Sequence, residues 1–400
     1  MAALQSFKID IAPDVLRDLE RRLRNTRWPG PLKEDVGWDH GVNLDYLREL
    51  TDYWLNSYDW RRQEKELNKL HHYKISIGEY RLHFIHERGE GPDPVPLLLL
   101  HGWPDSFYRF HRIIPMLTQT SLHAVGPDAA GPGSENVQTF DLVIPSLPGF
   151  GFTECPKDRT HDQPIRHDAE LLWTLMTREL GYERFCIAGG DGGSPLAQLM
   201  AIDHPGSVMG IYITDLGWQA NSIDPGRVSK NEQHYLKEAG KEFMRQGAYA
   251  MLQSTRPQTL AYSLSDSPVG LAAWFLDRFH FWCDGDGNIE RSFSRDELIT
   301  NMMIYWVTGT IGSSIRSYGL DKRSPSLTSG DYVEVPTGLG LFPKEVGGVP
   351  PREFAERSVN VQHWKEMPRG GHFTAWEEPG YMAADIRDFF KNLVYESRAI

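Results

Sequence analysis

The stretch FCIAGGDGGSPLAQL, residues 185–199, decides the fold of this 400-residue chain. An apolar run ends in two glycines, a single aspartate follows, and two more glycines lead into residues with helical character. A continuous apolar run is typical of a strand that is buried on both faces of a sheet. Glycines beside a sharp turn allow a strained backbone and a close approach of neighbouring chain. The stretch therefore predicts a buried strand, a tight turn that presents Asp191, and a helix.

Similar apolar runs occur on both sides of this stretch and alternate with helical segments of ten or more residues. This alternation is typical of parallel strands joined by helices. The predicted strands are residues 96–102, 140–151, 184–190, 208–215, 331–338 and 359–364, and the predicted helices are 164–180, 194–204 and one that begins after Pro379. We therefore predict an α/β fold with a mostly parallel central sheet flanked by helices.

Two segments depart from this alternation. The N-terminal part has two amphipathic helical patterns, residues 13–25 and 43–57, and a β-hairpin pattern at 73–89. Residues 219–322 are helical and rich in aromatic side chains, which predicts a cap inserted into the core, and 124–136 form a predicted flexible loop. The predicted division is an N-terminal extension (1–90), a first core part (91–218), a helical cap (219–322) and a second core part (323–400).

The composition excludes several classes of protein. A net charge of −12 with scattered basic residues argues against a partner that is nucleic acid or an anionic membrane. No segment approaches the ~20 apolar residues that span a bilayer, and the N-terminus lacks a secretory pattern. Three cysteines are too few for a disulfide framework or a spaced metal site, so we predict no metal and no cofactor. We expect a soluble cytoplasmic protein that binds a small, uncharged molecule.

Asp191 is the first candidate for chemistry. It lies where a G-x-S-x-G motif places a nucleophilic serine, between a buried strand and a helix. The alternative is that its carboxylate only caps the following helix, a common use of aspartate at this location.

The sequence His101-Gly102-Trp103-Pro104 follows another predicted strand. Folds with a nucleophile at such a turn place one backbone N–H of the oxyanion hole here and the other directly after the nucleophile. We therefore predict the N–H groups of Trp103 and Gly192 as donors. The alternative is a plain turn that ends the strand.

His372 in the sequence GGHF is the predicted base, because it follows the nucleophile and the acid in the chain order of this kind of site. Glu345 lies 27 residues earlier, just after a predicted strand, and is the predicted orienting acid. Four other carboxylates compete for this role but are more simply explained as solvated surface charges: Asp331, Glu334, Glu353 and Glu356.

An aspartate nucleophile restricts the reaction. Its carboxylate is ionised at pH 7 without help from a base, and it forms an ester by attack on a saturated electrophilic carbon. Epoxides and alkyl halides have such a carbon. An epoxide also needs a proton donor for its oxygen, and a tyrosine hydroxyl can serve. Candidate donors in the predicted cap are Tyr235, Tyr249, Tyr262, Tyr305 and Tyr318.

These residues favour an enzyme that hydrolyses an epoxide, and two alternatives remain. A haloalkane dehalogenase would use the same acid, base and nucleophile, but it often has a tryptophan directly after the aspartate, where this chain has Gly192. A member of the fold that only binds a ligand would keep the pocket and show no turnover.

The chain resembles the microsomal-type epoxide hydrolases of the α/β-hydrolase superfamily. The resemblance rests on the following motifs: HGWPDSFYRF (101–110), SLPGFGFTE (146–154), GGDGGS (189–194), TRPQTLAYSLSDSPVGLAAW (255–274), YWVTGTIGSSIRSY (305–318), FPKE (342–345) and GGHF (370–373). It implies a nucleophile at Asp191, a base at His372, an acid at Glu345, and donors to the epoxide oxygen at Tyr249 and Tyr318.

The resemblance also implies a biological setting. Mammalian members carry an N-terminal membrane anchor, whereas this sequence starts with the soluble segment, which indicates a soluble microbial or fungal member. Such relatives often form homodimers. The aromatic cap favours small lipophilic epoxides, such as styrene-oxide-like or terpenoid compounds, as substrates in detoxification or in the catabolism of aromatic hydrocarbons.

Overall fold

A computed structural model describes residues 4–30, 37–121, 137–156, 165–216, 228–323, 327–328 and 330–398. The predicted loop at 124–136 lies outside these residues, as do 219–227 at the start of the predicted cap. The strands are β1 (Gln5–Ser6), β2 (His72–Ile77), β3 (Tyr80–Glu87), β4 (Val95–Leu100), β5 (Phe140–Pro145), β6 (Phe185–Gly189), β7 (Val208–Ile213), β8 (Val333–Leu341) and β9 (Val359–Glu366).

The nine strands found among the described residues form one sheet in the order β1-β2-β3-β5-β4-β6-β7-β8-β9. The six strands from β5 to β9 in this order pair in parallel, while β1, β2 and β3 pair antiparallel with their neighbours. Every residue of β5 and β6 is buried, as continuous apolar runs predict. The predicted α/β class with a mostly parallel sheet is confirmed, and so is the N-terminal hairpin.

The described helices flank the sheet, and several of them lie between β7 and β8 in the sequence. They are α1 (Pro13–Arg24), α2 (Leu44–Asn56), α3 (Trp60–Leu67), α4 (Ile114–Thr118), α5 (Ile165–Thr174), α6 (Gly193–Asp203), α7 (Lys230–Gln246), α8 (Ala248–Thr255), α9 (Pro257–Asp266), α10 (Pro268–Trp282), α11 (Arg295–Thr308), α12 (Ile311–Arg323), α13 (Arg352–Ala355), α14 (Thr374–Glu377) and α15 (Pro379–Arg398).

Three elements differ from the prediction. The strand predicted over 140–151 ends at Pro145, because prolines and glycines in SLPGFG start a loop. The helix predicted over 164–180 ends in a π-helical turn at Leu175–Glu179. Helix α3 and the two-residue strand β1 were not predicted, since both are too short for a clear period.

Residues 228–323, which we call the helical insertion, contain α7 to α12 and no strand. The N-terminal helices contact this insertion directly. The hydroxyl of Tyr53 donates to Asp296 Oδ1 at 2.8 Å, and the hydroxyls of Tyr58 and Thr300 lie 3.1 Å apart. The N-terminal segment thus connects the helical insertion to the edge of the sheet.

Candidate active site

The turn after β6 holds Asp191 in a strained conformation. Its φ of 53° lies in the left-handed region, which is uncommon for a residue with a side chain. Helix α6 starts two residues later, and a Cβ on Gly193 would lie 2.2 Å from the carbonyl oxygen of Leu100 on β4. The helix can therefore approach the sheet this closely only with glycine at position 193. The turn thus holds Asp191 between the end of β6 and the start of α6.

Two backbone N–H groups hold one oxygen of this carboxylate. The N–H of Trp103 donates to Asp191 Oδ1 at 2.9 Å, and that of Gly192 donates to the same atom at 2.6 Å. These are the two N–H groups that the sequence predicts as oxyanion donors. A carboxylate oxygen in this position is already placed where negative charge would develop on an ester carbonyl.

The remaining residues of the HGWP motif shape this loop. His101 is fully buried, and its Nε2 lies 3.2 Å from the backbone nitrogen of Leu147. The Trp103–Pro104 peptide bond is cis, and the Pro104 carbonyl accepts a hydrogen bond from Asn301 on α11 at 2.8 Å. Gly102 lies against Asp191, because a Cβ there would be 2.0 Å from Asp191 Oδ1.

The other carboxylate oxygen of Asp191 faces His372. The Nε2 atom of His372 lies 3.1 Å from Asp191 Oδ2, and its Nδ1 lies 2.6 Å from Glu345 Oε1. Glu345 follows β8 and His372 follows β9, so two neighbouring parallel strands bring both residues to the edge that carries Asp191. The structure thus brings together the three side chains that the sequence singles out as nucleophile, base and acid.

Charge compensation governs the protonation of this cluster. Burial alone would raise the pKa of Asp191, but hydrogen bonds from His372 and from the two N–H groups bring it below 3.8. Burial alone would lower the pKa of His372, whereas the carboxylates of Glu345 and Asp191 raise it well above 6.5. Both effects favour an anionic Asp191 beside a cationic imidazole.

Tyr249 on α8 and Tyr318 on α12 lie above the turn, with ring centroids 5.8 Å apart. The ring of Trp103 stacks on Tyr249 at 5.5 Å and contacts Tyr318 edge to face at 5.9 Å. Burial and the charge of Asp191 raise the pKa of both hydroxyls, so both are protonated at neutral pH. The two tyrosines can therefore donate hydrogen bonds toward a group bound over Asp191.

The other candidate tyrosines lie in different surroundings. Tyr235 packs edge to face on Phe354, Tyr262 is 72% exposed, and the Tyr305 hydroxyl donates to the carbonyl of Asp105. The competing carboxylates have partners away from His372 as well. Asp331 accepts from Thr328, Glu353 from Ser229 and Glu356 from Arg352, whereas no contact of the Glu334 side chain with His372 occurs in the described part of the chain.

The loop that carries His372 is fastened to the helical insertion. The N–H of His372 donates to the carbonyl of Trp282 at 2.8 Å. Glu377 accepts from the N–H of Phe373 at 2.9 Å and from the N–H of Asp284 at 2.6 Å. The C-terminal end of α10 therefore helps to place the imidazole.

Sequence reasoning missed several polar residues around the site. Asp215 follows β7 and accepts the backbone N–H of Asp191 at 2.7 Å, and burial raises its pKa to about 7. Arg109 donates to the carbonyl of His372 at 2.5 Å and pairs with Asp105. Asp215 could have been noticed, since it ends the predicted strand 208–215 at the same sheet edge as Asp191. The role of Arg109 depends on contacts between distant segments, which no local pattern indicates.

Metal sites and membrane-spanning helices have structural requirements that can be compared with the described residues. Within the described ranges, no group of three or more His, Cys, Asp or Glu side chains is arranged to hold a metal ion. No helix among the described residues is long and apolar enough to cross a membrane.

Comparison with known proteins supports the relationship that the motifs indicate. The family described as "Epoxide hydrolase N terminus" matches residues 4–110, and "alpha/beta hydrolase fold" matches residues 95–235. The chain is 35% identical to epoxide hydrolase 1 of Sus scrofa over 414 residues, with 97% of this chain and 88% of the relative covered. It is 32% identical to epoxide hydrolase 1 of Oryctolagus cuniculus, with the same shares covered.

The fold agrees with these relationships. The structure of Aspergillus niger epoxide hydrolase matches with a TM-score of 0.83 at 26% identity, covering 98% of this chain and 97% of that one. An extended identity above 30% over nearly the whole chain, together with the matching fold, establishes common descent. The chain therefore belongs to the epoxide hydrolases, enzymes of the α/β-hydrolase fold.

Proposed function

We propose that the chain hydrolyses a small lipophilic epoxide to a vicinal diol in two steps through an ester on Asp191. The observation that carries this proposal is that the two carboxylate oxygens of Asp191 have different partners. Oδ1 is held by the N–H groups of Trp103 and Gly192, while Oδ2 faces His372 and receives no backbone N–H from the residues that the structure describes. The first oxygen suits a future ester carbonyl, and the second suits the attacking atom.

In the first step, Asp191 Oδ2 attacks a ring carbon and the carbon–oxygen bond of the epoxide breaks. The hydroxyls of Tyr249 and Tyr318 donate hydrogen bonds to the ring oxygen, and one of them then gives it a proton. Both hydroxyls retain their protons at neutral pH, as their raised pKa values require. A neutral donor lets the oxygen leave as an alcohol rather than as an alkoxide.

In the second step, His372 removes a proton from water, which attacks Cγ of the ester. The negative charge that develops on Oδ1 is stabilised by the two N–H groups that already hold this atom. Collapse of this intermediate releases the diol, whose departing oxygen takes the proton that His372 removed from water. The carboxylic acid of Asp191 then gives its own proton to the neutral His372. Glu345 keeps the imidazole oriented and stabilises its positive charge.

The first step itself makes His372 a base. The carboxylate of Asp191 is one cause of the raised pKa of His372, together with Glu345. Ester formation removes the Asp191 charge, so the pKa of the imidazole falls and its proton is released. That proton restores the tyrosine hydroxyl that protonated the epoxide oxygen, so the protons of the first step balance. The base therefore becomes active only after the ester exists.

The experiment that tests this proposal uses the His372→Gln variant with styrene oxide and intact-protein mass spectrometry. Loss of the base should stop ester hydrolysis while alkylation continues, so the protein should gain the mass of one epoxide. Peptide mapping should locate the adduct on Asp191, and a His372→Gln, Asp191→Asn double variant is the control that should gain none. If wild type forms the diol but the variant carries no adduct, or carries it elsewhere, the two-step proposal is wrong.

The assignment of the proton donors is tested separately. Tyr249→Phe combined with Tyr318→Phe should slow alkylation far more than either single change, because one hydroxyl can partly replace the other. Rapid quench with mass detection measures this rate. Alkylation by the double variant at the wild-type rate would mean that another group protonates the epoxide oxygen.

We also propose that the helical insertion covers the site as a cap and that the enzyme acts in the cytoplasm, with a homodimer as the expected assembly. The aromatic side chains near Asp191 support a lipophilic substrate such as styrene oxide or a terpenoid epoxide. Turnover on a panel of epoxides, cell fractionation and light scattering test these points in turn.

A further inference from the structure

A buried positive charge lies next to one of the two tyrosines above Asp191. Arg278 on α10 is only 6% exposed, and its guanidinium carbon lies 5.0 Å from the centroid of the Tyr249 ring. The same guanidinium lies 5.4 Å from the ring of Trp282, which in turn contacts His372. Burial of an arginine is costly, so its position against these rings calls for a physical reason.

The guanidinium is held by contacts that leave it oriented toward the rings. Its Nη1 donates to the carbonyl of Gln246, the last residue of α7, at 2.9 Å, and its Nη2 pairs with the carboxylate of Asp277. Tyr249 lies three residues after Gln246, at the start of α8. The cation is therefore fastened to the same short stretch of chain that carries the phenol.

The remaining charged and titratable groups near Tyr249 come from other elements. Asp191 faces it from the turn after β6 and raises the pKa of its hydroxyl, in addition to the larger effect of burial. A hydrogen bond from Tyr318 on α12 and the charge of Arg278 act in the opposite direction. Arg278 is the positively charged side chain among these groups. Burial and Asp191 make it harder for the Tyr249 hydroxyl to give up its proton, and Arg278 offsets part of that effect.

From this arrangement we propose that Arg278 is a positioning residue whose charge strengthens Tyr249 as a proton donor to the epoxide oxygen. As the epoxide opens, Tyr249 gives up proton density and its ring becomes more negative. A cation against the ring face stabilises that change more than it stabilises the neutral phenol. The contact thus favours the transition state of alkylation. This inference rests on the two-step function proposed above.

The test measures the alkylation rate by rapid quench and intact mass, with styrene oxide, in the His372→Gln background where the ester accumulates. Arg278→Gln removes the charge but keeps an amide donor for the Gln246 carbonyl. We expect it to slow alkylation about tenfold, within the range of a desolvated cation–π contact. Arg278→Lys keeps the charge and should retain most of the rate.

A double-mutant cycle separates this role from simple packing. In a Tyr249→Phe background, Arg278→Gln should cause no further loss, because the phenol on which the charge acts is gone. An equal loss in both backgrounds, or no loss in either, would overturn the proposal. If Arg278→Gln fails to fold, as circular dichroism would show, the smaller loss caused by Arg278→Lys must likewise vanish in the Tyr249→Phe background.

A different result is expected if the proposed two-step function itself is wrong. In that case the His372→Gln parent itself would form no adduct on Asp191, whatever residue stands at position 278. An adduct in the parent with an additive effect of Arg278→Gln would overturn only the role assigned to Arg278.

Discussion

Replacing Gly102 by alanine would test how closely the loop after β4 packs against Asp191. The added Cβ would lie 2.0 Å from Asp191 Oδ1 and 2.5 Å from its Cβ, whereas real Cβ contacts essentially never fall below 3.0 Å. The carboxylate or the loop must therefore move by at least about 1 Å. A misplacement of about 1 Å costs roughly 100-fold in rate, or about 2.7 kcal/mol of transition-state stabilisation.

The assay is kcat/KM with styrene oxide, together with the rate of ester formation in the His372→Gln background. We expect both to fall about 100-fold, because the first step needs Asp191 in place. Gly240→Ala on α7 is the matched control, since no described atom beyond its chain neighbours and the nearby backbone of its own helix lies within 4 Å of the added Cβ. It should leave the rates unchanged and stabilise the protein by roughly 0.5–1 kcal/mol.

A folded Gly102→Ala variant with kcat/KM within threefold of wild type would refute this reasoning. It would mean that the loop yields without moving the carboxylate. Thermal unfolding and circular dichroism must show that the variant is folded before its rate is interpreted.

Three other predictions concern the ionisation of buried groups and the contacts that hold the His372 loop. Burial lowers the pKa of His83 well below 6.5, so the folded protein keeps this imidazole neutral. As pH falls below 6.5, the unfolded chain takes up a proton at this residue that the folded protein does not, and the free energy of unfolding decreases. Urea unfolding between pH 7 and 5 should thus show a smaller pH dependence in His83→Gln; an identical slope contradicts this. Burial raises the pKa of Asp215 from 3.8 to about 7, which destabilises the fold as pH rises through this range. Asp215→Asn should therefore raise Tm more at pH 8 than at pH 5, and equal changes would be inconsistent with the shift. Glu377→Ala leaves two backbone N–H groups without their acceptor and should cost about 1–3 kcal/mol of stability. It should also slow ester hydrolysis more than alkylation, whereas Glu377→Gln should be milder; equal slowing of both steps would argue against a role in placing His372.

Much of the fold could be predicted because its signals are local. The glycines around Asp191 predict the turn by themselves, and the continuous apolar runs predict buried parallel strands. The ends of β5 and β8 were misplaced by several residues, since proline and glycine near a strand end do not fix the last paired residue. The antiparallel pairing of β3 with β5 was not predicted, because pairing depends on contacts distant in sequence.

The candidate site divides in the same way. Asp191, His372 and Glu345 stand in motifs whose chain order is informative, and the structure brings them within hydrogen-bonding distance. Arg278 carries no such signal, since a single arginine in an aromatic helix is compatible with a surface position. Only the packing of α7, α8 and α10 places its charge against Tyr249.

The attachment of the histidine loop to the end of α10 has a consequence for the diversification of this enzyme. Residues 282–284 contribute the carbonyl and N–H groups that fasten this loop, and Trp282 also contacts the rings of Tyr249 and His372. A substitution here that admits a bulkier substrate would also disturb the imidazole. Changes in substrate preference that preserve turnover should therefore accumulate on α8, α9 and α12, away from this attachment. Exchange of the whole helical insertion, which contains residues 282–284, with that of a relative should succeed only when Glu377 is exchanged with it.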